Sequence, residues 1–340
     1  MSANQQRLFA SGAAKKVDIA VGDANSPFIA AYPWTSTGFG TKYANPATAL
    51  SSGARGISFK SDASVIVCAT FDSPFIHAYP WSSGGFGTKY SQPATLPTGV
   101  GLGIAFNEAG TNVAIAHGTS PRISVYPWSS GFGTKYANPA TVPTGNGNGV
   151  AFSPSGNAIA VAHDASPYIS AYPFSSGFGT KYADPATLPT GSGLSVDFAP
   201  NGNTLAIAYA ASPYVSAYPW SAGFGTMYAD PSTLPAGVSR GVAFSPSGNS
   251  IAVAHDNSPF VTAYPWSSGF GSKYADPSTL ASVRSRGVAF SPTGADIAIA
   301  SDGSPWILVY PFSSGFGTKY SNPATLPGGT GLSVAFSPEY

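Results

Sequence analysis

Residues 149–191 read GVAFSPSGNAIAVAHDASPYISAYPFSSGFGTKYADPATLPTG, and they describe one complete structural unit. Gly149 to Phe152 is a short apolar strand, A, ended by the turn Ser153-Pro154-Ser155-Gly156. Ala158 to His163 is strand B, in which Ile159 and Val161 alternate with Ala160 and Ala162. A turn over Asp164-Ala165-Ser166-Pro167 leads to strand C, Tyr168 to Tyr172. The loop Pro173 to Gly179 leads to strand D, around Thr180-Lys181-Tyr182. Residues 184–191 then cross to the next unit.

The unit recurs seven times. Tyr-Pro followed by Trp or Phe starts at Tyr32, Tyr79, Tyr126, Tyr172, Tyr218, Tyr264 and Tyr310, at intervals of 47, 47, 46, 46, 46 and 46 residues. A Gly-Phe-Gly follows each, with one extra residue between the two markers in the first two copies, which places a surface loop there. No segment has helical periodicity, and proline recurs too often for helices of ordinary length. Four strands in a repeat of about 40–47 residues predict an all-β, seven-bladed β-propeller of four-stranded antiparallel blades. Large residues on one face and Ala or Gly on the other suit blades stacked large against small.

The ends of the chain predict how the ring closes. The first copy begins at strand B, Val17 to Val21, and the last segment, Leu332 to Phe336, is a strand A with no B after it. The C-terminal strand therefore completes the first blade and leaves no free sheet edge. The propeller spans 15–340, and residues 1–14 are an N-terminal arm.

Composition agrees with a packed repeat protein. Apolar residues make up 43% of the 340 and charged residues 9%, about a third of the usual ~25%. With 18 Tyr, 21 Phe and 6 Trp to bury, disorder is excluded. A net charge of +1 provides no global field for nucleic acid or an anionic membrane, so neither is an expected partner. No apolar stretch approaches the ~20 residues of a membrane span. The single Cys68, in an apolar run, reads as an inert buried thiol. The N-terminus has no apolar region of a secretory signal, which predicts synthesis in a cytoplasm.

The segment 242–259, Val-Ala-Phe-Ser-Pro-Ser-Gly-Asn followed by Ile-Ala-Val-Ala-His-Asp, resembles the WD40 repeat around its strands A and B. Asp23, Asp72, Asp164, Asp256 and Asp302 are assigned to that repeat's turn aspartate. The Gly-His pair and the Asp of Trp-Asp are missing, so the family's hydrogen-bonded tetrad does not form in full. The longer repeat, Ser-Pro-Phe through Tyr-Pro-Trp to Gly-Phe-Gly-Thr-Lys-Tyr, resembles WD40-like proteins of tailed bacteriophages and prophages. That resemblance implies a non-enzymatic virion component (decoration, tail or fibre) with other virion proteins, and host surface glycans, as partners; the alternatives are a lectin-like propeller with repeated ligand pockets and an intracellular WD40-type scaffold.

No constellation in the chain stands out as catalytic, and the expectation is a protein that is not an enzyme and needs no cofactor or metal. His163-Asp164 and His255-Asp256 read as strand-end histidines beside turn-capping aspartates, with Gly22-Asp23 and Phe71-Asp72 placed at the same position. Two sets of residues remain as candidate binding sites. Trp34, Trp81, Trp128, Phe174, Trp220, Trp266 and Phe312 form either an outer core under each C–D loop or platforms on which a sugar ring stacks. Arg55, Arg240 and Arg286 precede strand A, where the other copies carry Leu102, Asn148, Leu194 and Leu332, and mark one mouth of the channel as a docking face. A lysine recurs in Thr/Ser-Lys-Tyr and guards the blade edge.

Overall fold

A computed structural model describes residues 15–340; the expected N-terminal arm, 1–14, lies outside the described residues. Seven antiparallel sheets are present, two of four strands and five of three. Each inner strand A pairs with B, and B with C, as in blade 4: Gly147–Phe152, Ala158–His163 and Ile169–Pro173. Residues from all seven A strands surround one central recess. The chain is a seven-bladed β-propeller.

The ring closes as the sequence predicts. Gly331–Phe336 pairs antiparallel with Val17–Asp23, placing Phe336 opposite Ile19 and Val334 opposite Val21. Ser337 adds a second tie, its Oγ accepting from Asp18 N at 2.8 Å and its N donating to Asp18 O at 2.8 Å.

Every core cluster spans two neighbouring blades. Ala158, Ala160 and Ala162 of blade 4 meet Leu205, Ile207 and Tyr209 of blade 5 in one such cluster. This is the large-against-small stacking of the alternating pattern. The inner strands approach so closely that a Cβ on Gly103 would lie 2.8 Å from Asn148 O, which explains glycine there. Each Tyr of Tyr-Pro-Trp/Phe is fully buried, and each after Tyr32 donates its hydroxyl to a carbonyl 31 residues upstream, as Tyr126 does to Thr95 O and Tyr172 to Thr141 O, both at 2.8 Å. Strand C thus pins the crossover entering its own blade. Tyr32 makes the same bond to Thr325 O across the ring closure.

Strand D is corrected. The fourth pairing is made by Gly-Phe and not by Thr-Lys-Tyr. It is a two-residue strand in blades 1 and 2, Gly38–Phe39 and Gly85–Phe86, and a single bridge such as Phe174 to Phe178 in the others. The extra residue in the first two copies gives the C–D turn room to form a second pair. The Thr-Lys-Tyr segment keeps one bond, Tyr182 N to Ala171 O at 2.9 Å. Its lysine folds back on the residue three positions later, as Lys135 does on Asn138 (2.5 Å) and Lys319 on Asn322 (2.6 Å).

Candidate functional site

The seven aromatics after Tyr-Pro are core. Trp34, Trp81, Trp128, Phe174, Trp220, Trp266 and Phe312 are only 3–6% exposed. Their rings stand edge-on to the Gly-Phe-Gly phenylalanine and to the tyrosine of the preceding blade: Trp81 lies 4.9 Å from Phe86 and 5.2 Å from Tyr43. Trp81 Nε1 also donates to Asp18 Oδ2 at 2.9 Å, and Trp34 Nε1 to Asp296 Oδ2 at 3.0 Å. These carboxylate partners were not expected from the sequence, because the acid sits on strand B of the neighbouring blade. We expect Trp81→Ala to lower stability by about 3–5 kcal/mol, as for a large buried aromatic; urea unfolding of the variant checks this.

Three of the four histidines, His117, His163 and His255, end strand B and have buried partners. His117 Nε2 is 3.1 Å from Ser124 Oγ, His163 Nε2 is 3.0 Å from Ser170 Oγ, and His255 Nε2 is 2.9 Å from Thr262 Oγ1. Burial pushes all three imidazoles down to about 4, so they are neutral near pH 7. Asp256 does not orient His255; it holds Arg240.

Strand register also corrects the turn-aspartate assignment. Gly331 pairs with Asp23, Ala54 with Thr70, Ser239 with His255 and Ser285 with Ser301. Asp23 and Thr70 therefore occupy the histidine position. Ala24 and Phe71 stand where blades 6 and 7 carry Asp256 and Asp302. The sequence contains the signal: counting back two residues from each Ser-Pro gives Ala24, Phe71, Asp164, Asp256 and Asp302.

This offset decides the electrostatics of the channel mouth. Arg55, Arg240 and Arg286 line one recess of about 230 Å³, together with Leu102, Asn148, Leu194 and Leu332. Arg240 meets Asp256 through two bonds of 2.5 and 2.7 Å. Arg286 meets Asp302 through two bonds, and Arg284 shares the same carboxylate. Among the described residues, Arg55 has no carboxylate bonded to it. Its guanidinium carbon lies 4.3 Å over the ring centroid of Phe71. Among the described residues, its Nε is buried and has no hydrogen-bond partner. Burial lowers the Arg55 pKa most, and Arg286, Arg240 and Arg284 lower it further, with Asp302 opposing. Four guanidinium groups against two carboxylates leave these six groups at +2 (4 − 2).

Lower on the inner strand of blade 5, Asp197 accepts from Phe244 N at 2.8 Å, and burial raises its carboxyl to about 7. It does not line the recess. Among the described residues no group of three or more His, Cys, Asp or Glu is placed to hold a metal ion, and no helix is long and apolar enough to cross a membrane. Cys68 is buried, which pushes its thiol pKa up.

No protein-family model and no curated protein matches the chain. Solved structures do. A protein of Bacteroides fragilis named as a 6-phosphogluconolactonase aligns with a TM-score of 0.76 at 13% identity, over 96% of this chain and 99% of that one. A Bacteroides uniformis protein of the same name aligns at 0.75 and 17%, over 94% and 99%. A Pseudomonas aeruginosa periplasmic gluconolactonase aligns at 0.72 and 15%, over 94% and 99%. At such identities the likeness establishes the propeller fold alone. Two expectations are corrected, the non-enzymatic reading and the virion component: these three neighbours carry the names of lactonases, and none carries that of a virion protein. The correspondence to phage repeat proteins likewise has no support among these neighbours.

Proposed function

We propose that the protein takes a small organic anion at the arginine-bearing mouth of its channel and acts there as an enzyme-like propeller. One observation carries this: at the position where two blades supply an aspartate to their arginine, blade 2 supplies Phe71 and leaves Arg55 uncompensated. An arginine whose Nε is buried and unpaired is costly to the fold, because desolvation is not repaid by a partner. A carboxylate or phosphate in the recess supplies the missing negative charge through charge-assisted hydrogen bonds. The same guanidinium suits negative charge that develops during a reaction, such as that on a lactone carbonyl oxygen as water adds. Lactone ring opening, named for the structural neighbours, is therefore the reaction to assay first.

Phe71→Asp tests the proposal with the protein's own geometry. The substitution copies the Arg240–Asp256 arrangement into blade 2, so Arg55 becomes internally neutralised. Calorimetric titration with inorganic phosphate should show saturable binding to the wild type and at least a tenfold loss in the variant, with thermal stability kept. Equal binding by the two proteins removes Arg55 as the anion's anchor.

A further inference from the structure

The neutral polar side chains around the recess are already engaged. Asn148 Nδ2 donates to Gly193 O at 2.8 Å, Ser333 Oγ donates to Ala54 O at 3.0 Å, and Ser195 Oγ accepts from Val242 N at 3.3 Å. Arg240 and Arg286 are held by their aspartates. Among the described residues, Arg55 and the aliphatic side chains are the lining side chains that make no side-chain hydrogen bond. Leu102, Leu194 and Leu332 are half-buried at the rim. Two residues deeper runs a ring of branched aliphatics, with Ile57, Ile104 and Val150 still 8–9% exposed.

Around the ring, the inner strands of blades 6, 7, 1 and 2 present Arg240, Arg286, Leu332 and Arg55, and those of blades 3, 4 and 5 present Leu102, Asn148 and Leu194. The mouth is thus cationic on one side and mainly apolar on the other. At about 230 Å³, below the ~300–1,000 Å³ of ordinary small-molecule pockets, the open recess encloses only a short ligand body. A hydroxyl buried there without a partner weakens binding about tenfold or more. Each methylene buried instead strengthens it by about fourfold.

We infer that the recess selects an organic anion with a short apolar body, a carboxylate or phosphate monoester whose charged end lies against Arg55 and whose hydrocarbon lies against the leucines. The inference rests on the anion-binding reading above and narrows it, away from the polyhydroxylated substrates in the neighbours' names.

Calorimetry of the full chain with n-butyl phosphate, hexanoate, inorganic phosphate and 6-phosphogluconate tests it. n-Butyl phosphate or hexanoate should bind at least tenfold tighter than inorganic phosphate and 6-phosphogluconate, and the tighter of the two identifies the charged group. Leu194→Asn, which repeats the side chain of neighbouring Asn148, and Leu332→Asn should each reduce that preference at least threefold while leaving inorganic phosphate binding unchanged. Tighter binding of 6-phosphogluconate than of either apolar anion, or a preference unaltered in both leucine variants, overturns the apolar selection and leaves the anion site standing. Absence of saturable binding for all four overturns the anion site itself.

Discussion

A chain lacking residues 331–340 should fail to accumulate as soluble folded protein. The deletion unpairs Ile19 to Asp23 along the inner edge of blade 1. It removes Phe336, whose ring stands edge-on to Trp34 at 5.8 Å, and Val334 from the same cluster. Ser337 and Tyr340 also leave, and with them the bonds to Asp18 and to the Lys16 backbone. A large core aromatic is worth about 3–5 kcal/mol when fully buried. Each ladder hydrogen bond adds about 0.5–1.5 kcal/mol net. Together these rival the ~5–15 kcal/mol that holds a typical domain folded. The loss also exposes a strand edge, which promotes aggregation. Expression, sedimentation and thermal melting of the truncated chain provide the check; an unchanged melting temperature in soluble protein would refute closure by the C-terminal strand.

Acidification should destabilise the protein from about pH 6.5 downward, before ordinary carboxylates protonate. His77, His117, His163 and His255 are all buried, and burial lowers each imidazole from 6.5 to about 4, with Lys89 adding to the effect at His77. The neutral form is therefore favoured in the fold. Above pH 6.5 this stabilisation is fully present. Between pH 6.5 and 4 the unfolded chain binds more protons than the folded one, so stability falls with falling pH. The shift is on the order of 3 kcal/mol for each histidine. Two carboxyls oppose the trend. Burial raises Asp23 to about 6 and Asp197 to about 7, and their stabilisation is lost as pH rises through those values. Four groups outweigh two, and urea unfolding between pH 4 and 8 should show a net loss on acidification, with protons taken up on unfolding near pH 5. Constant or rising stability toward pH 4 contradicts the neutral buried histidines.

The repeat unit, the blade count and the closing strand were legible because each depends on spacing along the chain. Alternation in Ala158–His163 shows both faces of strand B, and the incomplete first and last copies show what pairs with what. Strand D was misplaced because Thr180-Lys181-Tyr182 has the composition of a strand, yet Tyr182 makes one ladder bond and its lysine folds onto Asp184. Partners across blades were not legible. Trp81 and Asp18 are 63 residues apart, and only the ring brings them together. The Arg55 site was half legible: the arginines stood out, but matching aspartate with aspartate hid the fact that Phe71, and not Asp72, faces Arg55. Ser-Pro was the more reliable anchor, because it fixes the turn geometry from which that position is counted.

The Arg55 Nε–H resonance, assigned by its loss in Arg55→Lys and followed by ¹⁵N nuclear magnetic resonance while inorganic phosphate is added at constant ionic strength, tests the central claim most directly. An anion that meets the open edge of the Arg55 guanidinium should shift this reporter resonance and saturate at one anion per chain, while Arg240 and Arg286, already bound to Asp256 and Asp302, move little. An Arg55 signal that stays in place, or a small unsaturating shift shared by all the arginines, would contradict an anion site at the channel mouth.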